Sequence, residues 1–253
     1  MSLLSSKVSG RQKLAGLIRE SESTVVLTGA GVSVPSGIPD FRTPGTGLWE
    51  NVDPMEVAHI DVFHNDTARF WKFYRPRFHE LAEKRPNPAH EAIAELEARG
   101  LIEGVVTQNI DRLHRAAGSE NVIEVHGSIA TSTCTSCGGS FDVEQVEDLF
   151  DDEGVANCAN CLGKVKPDVV LFGEMLPRSA MDEAQRLCSE AELLICIGSS
   201  LEVYPVAGLP SLAISAGARL ALVTQGPTPY DRDSAVKLSG DVVDELSGVL
   251  AAI

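Results

Sequence analysis

Cys134-Thr-Ser-Cys137 and Cys158-Ala-Asn-Cys161 form two C-x2-C pairs separated by twenty residues. Each pair presents two thiolates from a tight knuckle, and two such knuckles close a tetrahedron around zinc. Four cysteines fill the shell and leave no open position for water or substrate, so the predicted metal is structural. A redox C-x-x-C would not need a second copy. The stretch FDVEQVEDLFDDEG between the pairs is acidic and too short to form its own core, as a metal-stapled insertion would be. Cys188 and Cys196 fall in a predicted helix and a predicted strand and read as core residues.

A second set of chemically capable residues follows apolar runs. Val25, Val26 and Leu27 predict a buried strand. Gly29, Ala30 and Gly31 follow, where the chain turns sharply and a ligand can approach its backbone. Free N–H groups at a strand-to-helix turn suit a pyrophosphate. The usual dinucleotide fingerprint is absent, because Val34 occupies its third glycine position and no acidic residue closes a second strand nearby. For those three residues alone, a tight turn with a solvated loop is the preferred reading. Beyond them lie Ser33, Pro35, Ser36, Gly37, Ile38, Pro39, Asp40, Phe41 and Arg42. Thr107-Gln108-Asn109-Ile110-Asp111 leaves another strand with three amide or acid side chains. A helix cap explains one of Asn109 and Asp111 but does not explain Gln108 as well. His126 sits at a strand end before Gly127, a place open to a structural role or to proton transfer.

These residues need a scaffold, and the chain supplies one. Helical spacing is expected over 6–20, with Leu14, Leu17 and Ile18 inward. Asn87-Pro88 marks a helix start that runs to Gly100, and further helices are expected over 179–189, 206–216 and 241–251. Strands are predicted at 104–107, 122–125, 169–172, 193–197 and 220–223. Strands alternating with helices indicate α/β architecture with a doubly wound, mainly parallel sheet, whose ligands bind beyond the strand C-termini. Gly29, Gln108, His126, Gly198 and Thr224 would converge there. Residues 1–42, 86–128 and 164–253 are expected to form this Rossmann-like domain. A helical module over 43–85 and a zinc-binding module over 129–163 would form a smaller inserted domain.

At 253 residues the chain can bury a substantial core, and 43% hydrophobic with 23% charged residues is ordinary for a globular protein. A net charge of −15 argues against nucleic acid or an anionic membrane as partner and would attract a cationic peptide. The sequence shows no signal peptide and no apolar run near twenty residues, so a cytoplasmic protein is expected.

GAGVSVPSGIPDFR, Gly29 to Arg42, closely resembles the opening signature of sirtuins, the NAD-dependent protein deacylases. TQNIDRLHRAAGS, EVHGS, the paired C-x2-C, KPDVVLFGE and GSSLEVYP resemble further sirtuin motifs, and the likeness runs from about Gln12 to the C-terminus, closest to the bacterial members. It implies that NAD, a consumed co-substrate, is held by Gly29, Ala30, Gly31, Val34, Asp40, Phe41, Arg42, Gly198, Ser199, Ser200, Thr224 and Asp241. Thr224 departs from the family, where asparagine usually begins the adenine-ribose contact. By the same likeness Gln108 and Asn109 contact the nicotinamide-side ribose, with Asn109 sharing in catalysis, and Ile110 and Asp111 hold the carboxamide. His126 would be the general base.

The partners implied are acylated-lysine proteins or peptides, with Val170 presenting backbone to the acyl-lysine amide and Phe172 packing near its stem. Tyr74 and Arg77 resemble the Tyr-x-x-Arg pair of sirtuins that accept succinyl- and malonyl-lysine, although Pro76 between them is expected to disturb their helix. The implied reaction releases nicotinamide and O-acyl-ADP-ribose. Protein mono-ADP-ribosyl transfer or NAD hydrolysis on the same fold is the near alternative. A dehydrogenase would need the missing fingerprint, and a noncatalytic zinc module would not need Gln108, Asn109, Asp111 and His126 at strand ends.

Overall fold

The computed structural model describes residues 9–40, 47 and 52–253, so Phe41 and Arg42 lie outside the described residues. In chain order the strands are β1 (Thr24–Thr28), β2 (Gly104–Thr107), β3 (Val122–Glu124), β4 (Gly127–Cys134), β5 (Ser140–Asp142), β6 (Val165–Val169), β7 (Leu193–Ile197), β8 (Arg219–Val223) and β9 (Val236–Leu238). Six of them form one parallel sheet in the order β3-β2-β1-β7-β8-β9. Its strands read as continuous apolar runs because both faces are covered. Val26, Ile195 and Val223 point into one core with the helices Gly10–Glu20, Pro88–Ala98 and Val242–Leu250. Val25, Leu27, Cys196 and Leu222 alternate into the other with Arg178–Glu190 and Leu209–Ser215. Cys188 and Cys196 are both buried in that second core, as their sequence context predicts.

Helix starts follow local chemistry. Ser9 caps the first helix in a reciprocal box with Gln12. Asn87 does the same with His90, ahead of Pro88.

Four segments differ from expectation. No long helix follows Gly29; two single 3-10 turns, Ala30–Val32 and Val34–Ser36, take its place, and Pro35 and the left-handed Gly37 bound the second. The loop therefore offers backbone donors without a helix dipole behind them. The run 169–172 is not a strand of the parallel sheet, since Val169 ends β6, which pairs antiparallel with β4. The sixth parallel strand is β9, whose short Val-Lys-Leu pattern carries too little apolar signal to stand out. The helix expected over 206–216 is divided into a 3-10 turn, Val206–Gly208, and the helix Leu209–Ser215.

The smaller sheet has the order β5-β4-β6 and shares a core with the helices Ile60–Asn65 and Thr67–Ala82. Phe63, Phe70 and Trp71 fill it with edge-on aromatic contacts. Arg75 lies 4.0 Å over the Phe150 ring and 2.7 Å from the Glu147 carboxylate, which ties the long helix to the cysteine-bearing segment. Among the described residues, no helix is long and apolar enough to cross a membrane.

Candidate active site

β1 is the switch point of the parallel sheet: the chain proceeds to β2 and β3 on one side and to β7, β8 and β9 on the other. For five of the six strands, the first following residue bonds to the last carbonyl of a neighbouring strand. Gly29 donates to Ile197, Gln108 to Thr28, Val125 to Thr107, Gly198 to Val223 and Thr224 to Leu238, all at 2.9–3.1 Å. These bonds align the predicted residues along one rim. The glycines let the loops meet: a Cβ on Gly31 would lie 2.8 Å from Gly198 Cα, and Gly31 donates to the Gly198 carbonyl at 2.8 Å. Gly198 itself has φ 61°.

Beneath this rim lies a buried polar cluster. Asn109 Nδ2 donates to Gly29 C=O at 3.2 Å and to Ser33 Oγ at 3.1 Å. Ser33 Oγ donates to Asp111 Oδ2 at 2.6 Å. His90 Nδ1 accepts from Asn87 N, so its Nε2 carries the proton and donates to Ser33 Oγ at 3.3 Å. One donor and two acceptor positions make the Ser33 hydroxyl fully committed. Asp111 Oδ1 also accepts from Leu113 N at 2.9 Å, although the N-cap position of the short helix Leu113–Ala116 is Arg112. Burial raises the Asp111 carboxyl against the pull of those bonds. Gln108 reaches across the switch point, donating to Ser199 Oγ at 2.9 Å.

The bonds of Ser33 and His90 in this cluster were not foreseen from the sequence, whereas His114, read there as a surface or core residue, is buried. Burial lowers His90 to about 4 and His114 to about 3, so both are neutral. His114 Nε2 lies 2.9 Å from Thr28 Oγ1, which bonds Thr107 Oγ1 at 2.8 Å. Thr107 Oγ1 then accepts from Asn109 N. The signal available was Ser33 inside the glycine loop and two histidines at starts of helices that face that loop.

His126 Nδ1 sits 2.9 Å from the Gln108 carbonyl. A carbonyl only accepts, so Nδ1 bears the proton and Nε2 keeps the basic lone pair. Burial lowers the imidazole pKa, and the bond to Gln108 partly opposes this. The neutral ring is therefore held in one tautomer at the rim.

The segment after β6 passes directly beside it. Val170 N donates to the His126 carbonyl at 2.8 Å, and Phe172 pairs with Ala58 and Ile60 through both backbone groups. Leu171 bonds to Glu174 through both of its own. From Val170 to Phe172, the Val170 carbonyl alone has no partner among the described residues. Phe172 leaves 45% of its surface exposed, next to this carbonyl in sequence.

Other predicted residues divide. Ser199 is buried, Ser200 exposed, and Asp40 and Thr224 half-buried. Val34 is 45% exposed on the loop. Asp241 caps the last helix by accepting from Val243 and Asp244, a role that accounts for the residue by itself. The helix Thr67–Ala82 continues through Pro76, because the Lys72 carbonyl that loses its donor belongs to an exposed turn. Tyr74 packs between Phe70 and Phe78, and both Tyr74 and Ile110 line the small domain's core. Arg77 donates to Phe73 C=O at 2.6 Å and stacks 3.7 Å over the Phe73 ring.

The four cysteines meet as spacing predicts, with all Sγ atoms within 4.8 Å of one another. Cys134–Cys161 and Cys137–Cys158 approach at 3.5 and 3.7 Å. Zinc–sulfur bonds of about 2.3 Å in a tetrahedron need sulfur spacings of about 3.8 Å, so the set fits one zinc. The knuckles repeat: Ser136 N and Asn160 N each donate to the first sulfur, and Gly138 and Leu162 both take positive φ.

The Sir2 family pattern matches residues 29–205. The NAD-dependent protein deacetylase of Thermotoga maritima is 43% identical over 228 residues, covering 90% of this chain and 92% of that protein. A solved Sir2 variant with a deacetylated p53 peptide and 3'-O-acetyl ADP-ribose superposes with a TM-score of 0.90 at 41% identity, covering 95% of this chain and 97% of that one. A Sir2 structure with p53 peptide and NAD+ gives 0.87 at 42%, covering 94% and 96%. At such identity over nearly its whole length, the chain belongs to the Sir2 family, the sirtuins.

Proposed function

We propose that this sirtuin is an NAD-dependent protein-lysine deacylase that transfers the acyl group to ADP-ribose and releases nicotinamide. The observation that carries the reading is His126, neutral, with Nε2 left basic by the Nδ1 bond to Gln108 and seated at the convergence of the strand ends. NAD would lie along the rim from Gly29 and Ser199 to Thr224, with its nicotinamide side toward Gln108 and Asn109. The buried Ser33–Asp111–His90 cluster holds Asn109 and the glycine loop in place for it. The open Val170 carbonyl takes the amide N–H of the acylated lysine, which aligns the acyl oxygen with the anomeric carbon as nicotinamide departs. His126 Nε2 then removes a proton from the ribose hydroxyl that attacks the acyl carbon, and water completes release. The relatives' names and bound molecules support this assignment.

Tyr74 and Arg77 support a further acyl class. Both belong to the helix whose inner face shares a core with Ile110, so succinyl- and malonyl-lysine join acetyl-lysine as proposed substrates, their distal carboxylate pairing with Arg77.

Mass spectrometry after incubation with NAD and an acetyl-lysine peptide tests the function. Deacetylated peptide with stoichiometric O-acetyl-ADP-ribose is expected. ADP-ribosylated peptide, or ADP-ribose formed without peptide turnover, would favour the transferase or hydrolase reading instead.

A further inference from the structure

Behind Val170 sits a charged pair to which the proposed reaction assigns no role. Lys166 Nζ lies 2.9 Å from the Glu174 carboxylate, with 16% and 26% of the two side chains exposed. The same ammonium donates to the carbonyls of Val169 at 2.8 Å and Pro167 at 3.2 Å, so its three donors are used. Glu174 Oε2 accepts the Leu171 N–H at 2.8 Å, and Glu174 N donates to the Leu171 carbonyl at 3.0 Å. Gly173, at φ 86°, makes the intervening turn, pressed so closely on His59 that a Cβ would lie 2.6 Å from its Nε2.

Peptide planarity turns these contacts into a statement about one oxygen. The Leu171 N–H and the Val170 carbonyl belong to the same rigid amide and point in opposite directions. Holding the N–H with a carboxylate fixes where the carbonyl points. It also draws electron density toward that oxygen, because a charge-assisted bond at one end of an amide strengthens acceptance at the other. The preceding amide is clamped as well, its carbonyl by Lys166 and its N–H by His126.

We propose that Lys166 and Glu174 are positioning residues that aim and polarise the Val170 carbonyl toward the amide N–H of the acylated lysine. Glu174 is thereby a determinant of peptide affinity without touching the peptide. The inference rests on the deacylase reading and on Val170 as the amide acceptor.

The test compares Glu174→Ala, Glu174→Gln, Lys166→Met and Lys166→Arg with wild type. Glu174→Ala should raise peptide KM about tenfold, the scale of one charge-assisted bond, and leave NAD KM unchanged. Glu174→Gln, which keeps an acceptor but loses the charge, should fall between, and Lys166→Arg should behave more like wild type than Lys166→Met. A loosened loop could raise peptide KM by itself, so a second readout is needed: binding of an acetyl-lysine peptide against its ester analogue, where oxygen replaces the amide N–H. Wild type should prefer the amide, and Glu174→Ala should lose most of that preference. An unchanged amide-to-ester ratio, or equal rises in both KM values, overturns the proposal. So does a wild type that deacylates the peptide but does not prefer the amide, an outcome that leaves the deacylase reading standing. A wild type without NAD-dependent deacylation removes that reading and the proposal with it.

Discussion

The proposed base, His126, is defined less by its own side chain than by the carbonyl it touches. Gln108 C=O forces the proton onto Nδ1, and burial lowers the pKa from the ordinary 6.5. A base must be deprotonated to act, so its activity is lost as pH falls through its pKa, and a lowered pKa extends activity toward acid. The acid limb of kcat/KM for the peptide is therefore expected below pH 6.5, and a limb at or above that value contradicts the assignment. That Gln108, Asn109, Asp111 and His126 lie beyond strand ends was legible in the sequence, because polar types follow apolar runs there. The roles of Ser33 and His90 were not, because they lie in the bond between the two and in the Ser33 bond to Asp111, across distant segments. The same limit applies to Asp241, whose residue type suits a ligand contact and a helix cap equally well.

At the scale of elements, the two cysteine knuckles were legible by spacing alone, since C-x2-C geometry is local. Cys158 is fully buried and lies 3.7 Å from Cys137, so its loss breaks the four-sulfur set that fits zinc. One zinc per chain is expected by metal analysis, and Cys158→Ser should lower the melting temperature and zinc content together. Zinc-free protein with unchanged melting temperature and activity would contradict a structural metal. The helix Thr67–Ala82 is a second case. Its aromatic face follows from helical spacing, but its passage through Pro76 depends on an exposed turn that sequence does not reveal. Arg77 bonds the Phe73 carbonyl and stacks on its buried ring, so pairing with a substrate carboxylate would exchange both contacts for the new one. Arg77→Ala should reduce succinyl-peptide turnover at least about tenfold and change acetyl-peptide turnover little. Equal effects on both, or no succinyl-lysine cleavage by wild type, would return Arg77 to a surface role. The misplaced strand at 169–172 has a related origin: Val169 and Leu171 pack the small domain, and its backbone bonds go to His126, Ala58 and Ile60.

The described residues build a parallel sheet buried on both faces and a smaller three-stranded sheet whose segment carries the four-cysteine cluster. Continuous apolar strands made the sheet legible, whereas β9 escaped because it is short and its middle residue is a lysine paired with Asp231. Burial also couples global stability to pH. His90 and His114 stay neutral when folded, with values of about 4 and about 3, but take up protons near 6.5 when unfolded. Stability present above pH 6.5 is thus lost as pH falls toward the folded values. His114→Gln should flatten the acid limb of melting temperature against pH, and a slope identical to wild type would show that His114 is not buried neutral. The central claim is chemical, and His126→Ala tests it most directly. Nicotinamide leaves before the proposed base acts, so the variant should still bind NAD and exchange labelled nicotinamide in the presence of acetyl-peptide. Formation of O-acetyl-ADP-ribose should fall by roughly 10²–10⁴-fold. O-acetyl-ADP-ribose formed at the wild-type rate by a folded, NAD-binding His126→Ala protein would contradict the account.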